Sequence, residues 1–199
     1  MNPELFLPLI LFALIATITP GGATVLVVAS GAQHGFRSSI PLVTGMAVGL
    51  ASLSAAAAAG LGAVLHAFPE LQIVMRGLGS AYLLWLAWLI ARSGGPKMQA
   101  EAGTSPVGIG GGLVLLCLNP KAWTIAIAAT AAFANLTSSA ASLALIMATV
   151  FGICAAFSLS MWCAGGFLLS RMLRSERQWR VVNVSLGILL VISVIPLWL

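Results

Sequence analysis

Lys121 is the residue of this chain whose type and position most clearly indicate a chemical role. It follows Pro120 directly and lies inside the long apolar run 107–134. It is about fourteen residues from either end of that run, or roughly 20 Å if the segment is helical. A lysine side chain is too short to reach water from that depth. A lysine at the centre of a membrane helix costs about 2.5–3.5 kcal/mol on insertion scales. Its position therefore needs an explanation.

Three environments would make this lysine tolerable. The site is hydrated, or the lysine is neutral through desolvation, or an anion such as a solute carboxylate binds beside it. Each of the three places a polar cavity at mid-membrane. A purely structural role is the alternative, in which backbone carbonyls freed near Leu116 hold the lysine. The acids of the chain all lie in loops or at the ends of apolar runs: Glu4, Glu70, Glu101 and Glu176.

The composition indicates an integral membrane protein. Of 199 residues, 60% are hydrophobic and only 7% are charged, which is too little charge to cover the surface of a soluble domain. The net charge of +5 is spread over short loops. We expect a lipid bilayer as partner and no nucleic acid, because the sequence has no basic stripe or groove-binding motif.

Apolar runs separated by short polar breaks predict six transmembrane helices, each near the roughly 20 residues that a span requires. The chain is therefore predicted to be all-α. The six predicted spans are 5–31, 40–66, 71–91, 107–134, 140–168 and 181–198.

The basic residues predict the orientation of these spans. Lysine and arginine favour the cytoplasmic side, and one set of alternate loops holds almost all of them. On the opposite side we find only Arg76. We therefore expect a multi-pass membrane protein with both termini outside. The predicted cytoplasmic basic residues are Arg37, Arg92, Lys97, Arg171, Arg174, Arg177 and Arg180.

The first and fourth runs resemble each other. Pro20 aligns with Pro120 when "ITPGGATVLVVASGAQHG" is set against "LNPKAWTIAIAATAAFAN". The chain is thus predicted to contain two three-helix repeats, 1–91 and 107–199, joined by a cytoplasmic linker at 92–106. Because three is an odd number of spans, the second repeat inserts with inverted topology.

Both prolines should break their helices, because proline cannot donate the backbone hydrogen bond and its ring clashes with the preceding turn. Paired interruptions of this kind mark the substrate site of many secondary transporters. The new helix N-termini favour anions and the C-termini favour cations, so a zwitterion could be held at both poles. The candidate substrate-binding residues are Thr19, Pro20, Gly21, Gly22, Thr24, Asn119, Pro120 and Lys121.

These motifs resemble the LysE/RhtB family of bacterial amino-acid exporters. The matching segments are "TPGG" at 19–22, "GFRSS" followed by "GMAVG", "YLLWLAW" at 82–88 and "LNPKAW" at 118–123. The resemblance covers essentially the whole chain. It implies a protein of the bacterial inner membrane that exports amino acids or their derivatives, driven by an ion gradient, with a proton or sodium as coupling ion. We expect transport by alternating access.

The resemblance also singles out Gly45 and Gly49 of the second run as motif glycines. Two departures stand out. Gly22 replaces the second proline usual in the first motif, and Leu50 and Ala51 occupy a region that is often acidic. With no aspartate in the chain, an ordinary carboxylate proton relay is not expected.

Other functions remain as alternatives. A metal-ion exporter needs clustered ligands within the membrane, and a thiol–disulfide relay needs a matched cysteine pair, whereas the counterpart of Cys117 is Thr17. A structural protein packed through small residues such as Gly45 and Gly49 is a further reading. We expect a transporter rather than an enzyme, with no cofactor and no metal, and a homo-oligomer is compatible with the sequence.

Overall fold

The computed structural model describes residues 2–61, 69–93, 106–195 and 198. Within those ranges the chain is all-helical, with eight α-helices and no β-strand. A π-helical turn at Ala57–Leu61 extends the third helix. The helices are α1 (Phe6–Ile18), α2 (Gly22–His34), α3 (Phe36–Ala56), α4 (Pro69–Arg92), α5 (Ile109–Cys117), α6 (Pro120–Ala132), α7 (Ala140–Met172) and α8 (Glu176–Ile192).

Two of the described helices are long and apolar enough to cross a membrane: α3 with its π-helical extension, and α7. Two further spans result if each bent pair is counted as one. The segment Pro3–Ile18, which includes α1, meets α2 at 59°, and α5 meets α6 at 67°. The prediction that the first and fourth apolar runs break at Pro20 and Pro120 is confirmed. Much of the predicted linker 92–106 lies outside the described residues.

Helix α7 presents a broad apolar face to the surroundings. Leu145, Ile153, Phe157 and Leu168 are each more than half exposed. A soluble monomer rarely exposes so large a contiguous apolar surface. On an integral membrane protein the same surface faces lipid chains.

Glycines bring the helix backbones into close contact inside the bundle. A Cβ atom at Gly31 would clash with the Cys163 carbonyl, and one at Gly166 with the Val28 carbonyl, so α2 and α7 lie backbone against backbone. Close approach of this kind is typical of helix packing in membranes, where small residues provide the interface.

The motif glycines of α3 make a similar contact with α5. A Cβ atom at Gly45 would clash with the carbonyl group of Ile109, and one at Gly49 would lie 3.2 Å from Cβ of Leu116. Helices α3 and α7 also pack against each other. Together these contacts fix the positions of the broken helices, since α2 lies on α7 and α5 lies on α3.

Candidate functional site at the two helix breaks

The first break runs from Thr19 to Gly21, between α1 and α2. The Thr19 hydroxyl donates to the Ile15 carbonyl at 2.6 Å, back into α1. Thr19 therefore bonds to the end of α1 and not to the start of α2. Thr24 bonds there instead, because its hydroxyl accepts the N–H of Gly21 at 2.7 Å.

The second break is capped by Asn119. Its Oδ1 atom accepts the backbone N–H of Lys121 at 3.0 Å, the usual role of asparagine at a helix N-cap. Pro120 is the first residue of α6, a position where its missing N–H costs nothing. The indole of Trp123 donates to the Cys117 carbonyl at 2.8 Å, which satisfies the end of α5.

The side chain of Lys121 reaches from the second break to the first. Its Nζ atom donates to the carbonyl oxygen of Thr19 at 2.8 Å. This oxygen lies at the C-terminal end of α1, where the helix dipole favours a cation. The alternative partner, the carbonyl of Leu116, accepts the N–H of Asn119 at 3.0 Å instead. The two breaks are therefore joined by the amino group of Lys121.

Two residues of α7 complete this end of α1, and neither was singled out from the sequence. Ser158 Oγ donates to the Thr17 carbonyl at 2.7 Å, and Trp162 Nε1 donates to the Ile18 carbonyl at 3.1 Å. With Lys121 on Thr19, three consecutive carbonyls each accept a side chain from the second half of the chain. In the sequence, Ser158 and Trp162 are recognisable as two hydrogen-bond donors four residues apart, on one face of an apolar helix.

We expect Trp162→Phe to lower thermal stability slightly. The substitution keeps an aromatic ring but removes the donor to the Ile18 carbonyl, a net loss of about 0.5–1.5 kcal/mol. For a chain of this length that corresponds to a decrease in Tm of roughly 1–6 °C. The measurement is Tm of the detergent-solubilised protein. Trp85→Phe, at an exposed indole, is the matched control, and equal Tm values for the two variants would contradict the role of this hydrogen bond.

Two cavities flank the contact between Lys121 and Thr19. The smaller cavity, of about 50 Å³, extends toward α3 and α7 through Leu50, Ala155 and Leu159. The larger cavity, of about 470 Å³, extends toward α4 and α8 through Arg76, Leu83 and Ser193. The larger volume falls in the range of roughly 300–1,000 Å³ typical of small-molecule sites.

The structure brings all eight predicted site residues to these two cavities. Those shared by both cavities are Thr19, Gly21, Gly22, Asn119 and Lys121. Thr24 lines the smaller cavity, whereas Pro20 and Pro120 line the larger one, together with Thr124.

The described lining of the site is basic. Among the described residues that line the two cavities, Lys121 and Arg76 are basic and none is acidic. The described part of the chain also holds no group of three or more His, Cys, Asp or Glu residues able to hold a metal ion. The arrangement suits an anionic group such as a carboxylate better than a cation.

Comparison with known families assigns the chain. The model of the LysE type translocators matches residues 14–195. The chain belongs to this family. The resemblance to LysE/RhtB exporters is thereby confirmed, and the protein is assigned to a family of membrane transporters rather than enzymes.

Relatives of this LysE type translocator are similar to it over almost their full length. Cysteine/O-acetylserine efflux proteins of Salmonella choleraesuis (strain SC-B67) and Salmonella typhimurium (strain LT2) are each 29% identical over 191 residues, covering 96% of both chains. The protein of the same name from Escherichia coli O1:K1 is 27% identical over the same length. No solved structure matches the chain.

Proposed function

We propose that this translocator exports small zwitterionic amino acids of the cysteine and O-acetylserine class across the bacterial inner membrane. The observation that carries the proposal is the Lys121 ammonium, which bonds to the Thr19 carbonyl between two broken helices and beside a cavity. A zwitterion offers a carboxylate to this lysine and an ammonium group to the carbonyl. It can thus replace each half of an internal contact without leaving a polar group unpaired.

The architecture that we propose is six spans in two inverted repeats, 1–91 and 107–199, with 92–106 as a cytoplasmic linker. The similar bends at Pro20 and Pro120 support this division. Arg92, Arg177 and Arg180 line one cavity of about 710 Å³, so two of the basic loops lie on the same side. By the positive-inside rule that side is the cytoplasm, and both termini are outside.

The transport mechanism that we propose is alternating access around the breaks. A cavity of about 270 Å³ at the basic end is lined by Ser30, Gln33, His34 and Ser93. The cavity that contains Arg76 lies toward the opposite end, and the breaks lie between the two. Rocking of the repeats would open first one cavity and then the other to the site, with export driven by a proton or sodium gradient.

The proposal is tested by efflux from bacteria loaded with cysteine-containing and other dipeptides. Cells that carry the native chain should release cysteine or a related small amino acid several-fold faster than cells with empty vector. An equal rate of loss from both, for every amino acid measured, would refute the proposed function. Adding protonophores or removing sodium then identifies the coupling ion.

A further inference from the structure

Arg76 is a second basic residue in the lining of the larger cavity. It lies seven residues into α4, about 10 Å along the axis from the first residue of that helix. In the predicted topology it is the one loop-side basic residue that does not lie on the cytoplasmic side. An arginine within a membrane helix is costly and usually has a functional reason.

The described lining of the cavity at Arg76 offers no counter-charge. It is partly buried and lines the larger cavity, together with Ser193, Thr124 and Lys121. No hydrogen bond or ion pair joins its side chain to another residue of the described part of the chain. Of the residues lining that cavity, none in the described ranges is acidic.

Arginines at the other end of the molecule are placed differently. Arg92 lies over the ring of Trp88, with its Cζ atom 4.7 Å from the ring centroid. It is exposed and shares its cavity with Glu176 as well as two other arginines. The positive-inside rule explains the positions of these arginines, which lie at the proposed cytoplasmic surface. Arg76 faces a cavity that is continuous with the two helix breaks.

We propose that Arg76 is a second carboxylate-binding residue, which receives the α-carboxylate of the exported amino acid in the larger cavity on the outward side of Lys121. This inference rests on the proposed export function. The planar guanidinium presents donors that match the two oxygens of a carboxylate. A solute that leaves Lys121 is thus transferred to a second cation, while the ammonium returns to the Thr19 carbonyl.

Competition from outside the cell tests this assignment. Cells that export labelled cysteine receive external S-methylcysteine or its amide, which lacks the carboxylate charge. For the native chain, S-methylcysteine should slow efflux at much lower concentration than the amide does. Arg76→Gln should raise the half-inhibitory concentration of S-methylcysteine about tenfold or more, because a charge-assisted pair is lost. The response to the amide should stay the same.

Two further variants separate binding from structure. Arg76→Lys keeps the charge without the fork geometry and should give an intermediate shift, which carries the test if the glutamine variant does not reach the membrane. Arg92→Gln, on the same helix but outside the cavity, should respond like the native chain. Equal shifts for acid and amide would assign Arg76 a structural role and overturn the inference.

The two proposals fail in different ways. If the native chain exports nothing above the vector, the export function falls and the role of Arg76 falls with it. If the native chain exports cysteine and Arg76→Gln keeps the native response to S-methylcysteine, only the carboxylate site at Arg76 is overturned.

Discussion

Lys121→Met is expected to slow amino-acid efflux roughly ten- to a hundredfold while the protein still accumulates in the membrane. The substitution removes the charge-assisted partner of the solute carboxylate, worth about 1.5–3 kcal/mol, or roughly ten- to a hundredfold in rate. Methionine also relieves the insertion cost of a lysine at mid-membrane. The measurement is the initial efflux rate of cysteine from loaded cells, divided by the amount of membrane-inserted protein.

The chain offers a matched control for this prediction. Lys97 is its other lysine and lies in the predicted linker, so Lys97→Met changes the net charge equally and should export at the native rate. Lys121→Arg keeps a donor for the Thr19 carbonyl and should retain part of the activity. Native efflux by Lys121→Met would show that the ammonium only holds the two breaks together.

The breaks themselves were predictable from local rules. Proline cannot continue the hydrogen-bond pattern of the preceding turn, and an asparagine before it is a typical helix N-cap. The breaks at Pro20 and Pro120 were therefore placed correctly from sequence alone. Local interactions within a few residues of each proline are enough to determine them.

The partners of the site were not predictable in the same way. The Thr19 carbonyl that accepts from Lys121 lies 102 residues away in the sequence, and the choice of partner depends on how the two bent helices face each other. Ser158 and Trp162 reach α1 because of the rotation of α7, which a nearly uniform apolar helix does not reveal.

Gly166→Ala is expected to destabilise the fold, although alanine is the better helix former. A Cβ atom there would clash with the Val28 carbonyl in α2, so the two backbones must separate. Overpacking of this kind costs about 1–3 kcal/mol, which lowers Tm by roughly 2–12 °C for a chain of this length. The measurement is Tm of the solubilised protein, determined from the loss of the monodisperse fraction on heating.

The neighbouring glycine turns this prediction into a comparison of sign. A Cβ atom at Gly165 would meet nothing within 4 Å, so Gly165→Ala should leave Tm unchanged or raise it by a few degrees through helix propensity. The same substitution, one residue apart on α7, then lowers Tm at Gly166 and does not lower it at Gly165. If both variants raise Tm, α2 does not lie against α7 through Gly166. Because α2 begins at the first break, that result would also displace the Thr19 carbonyl from Lys121.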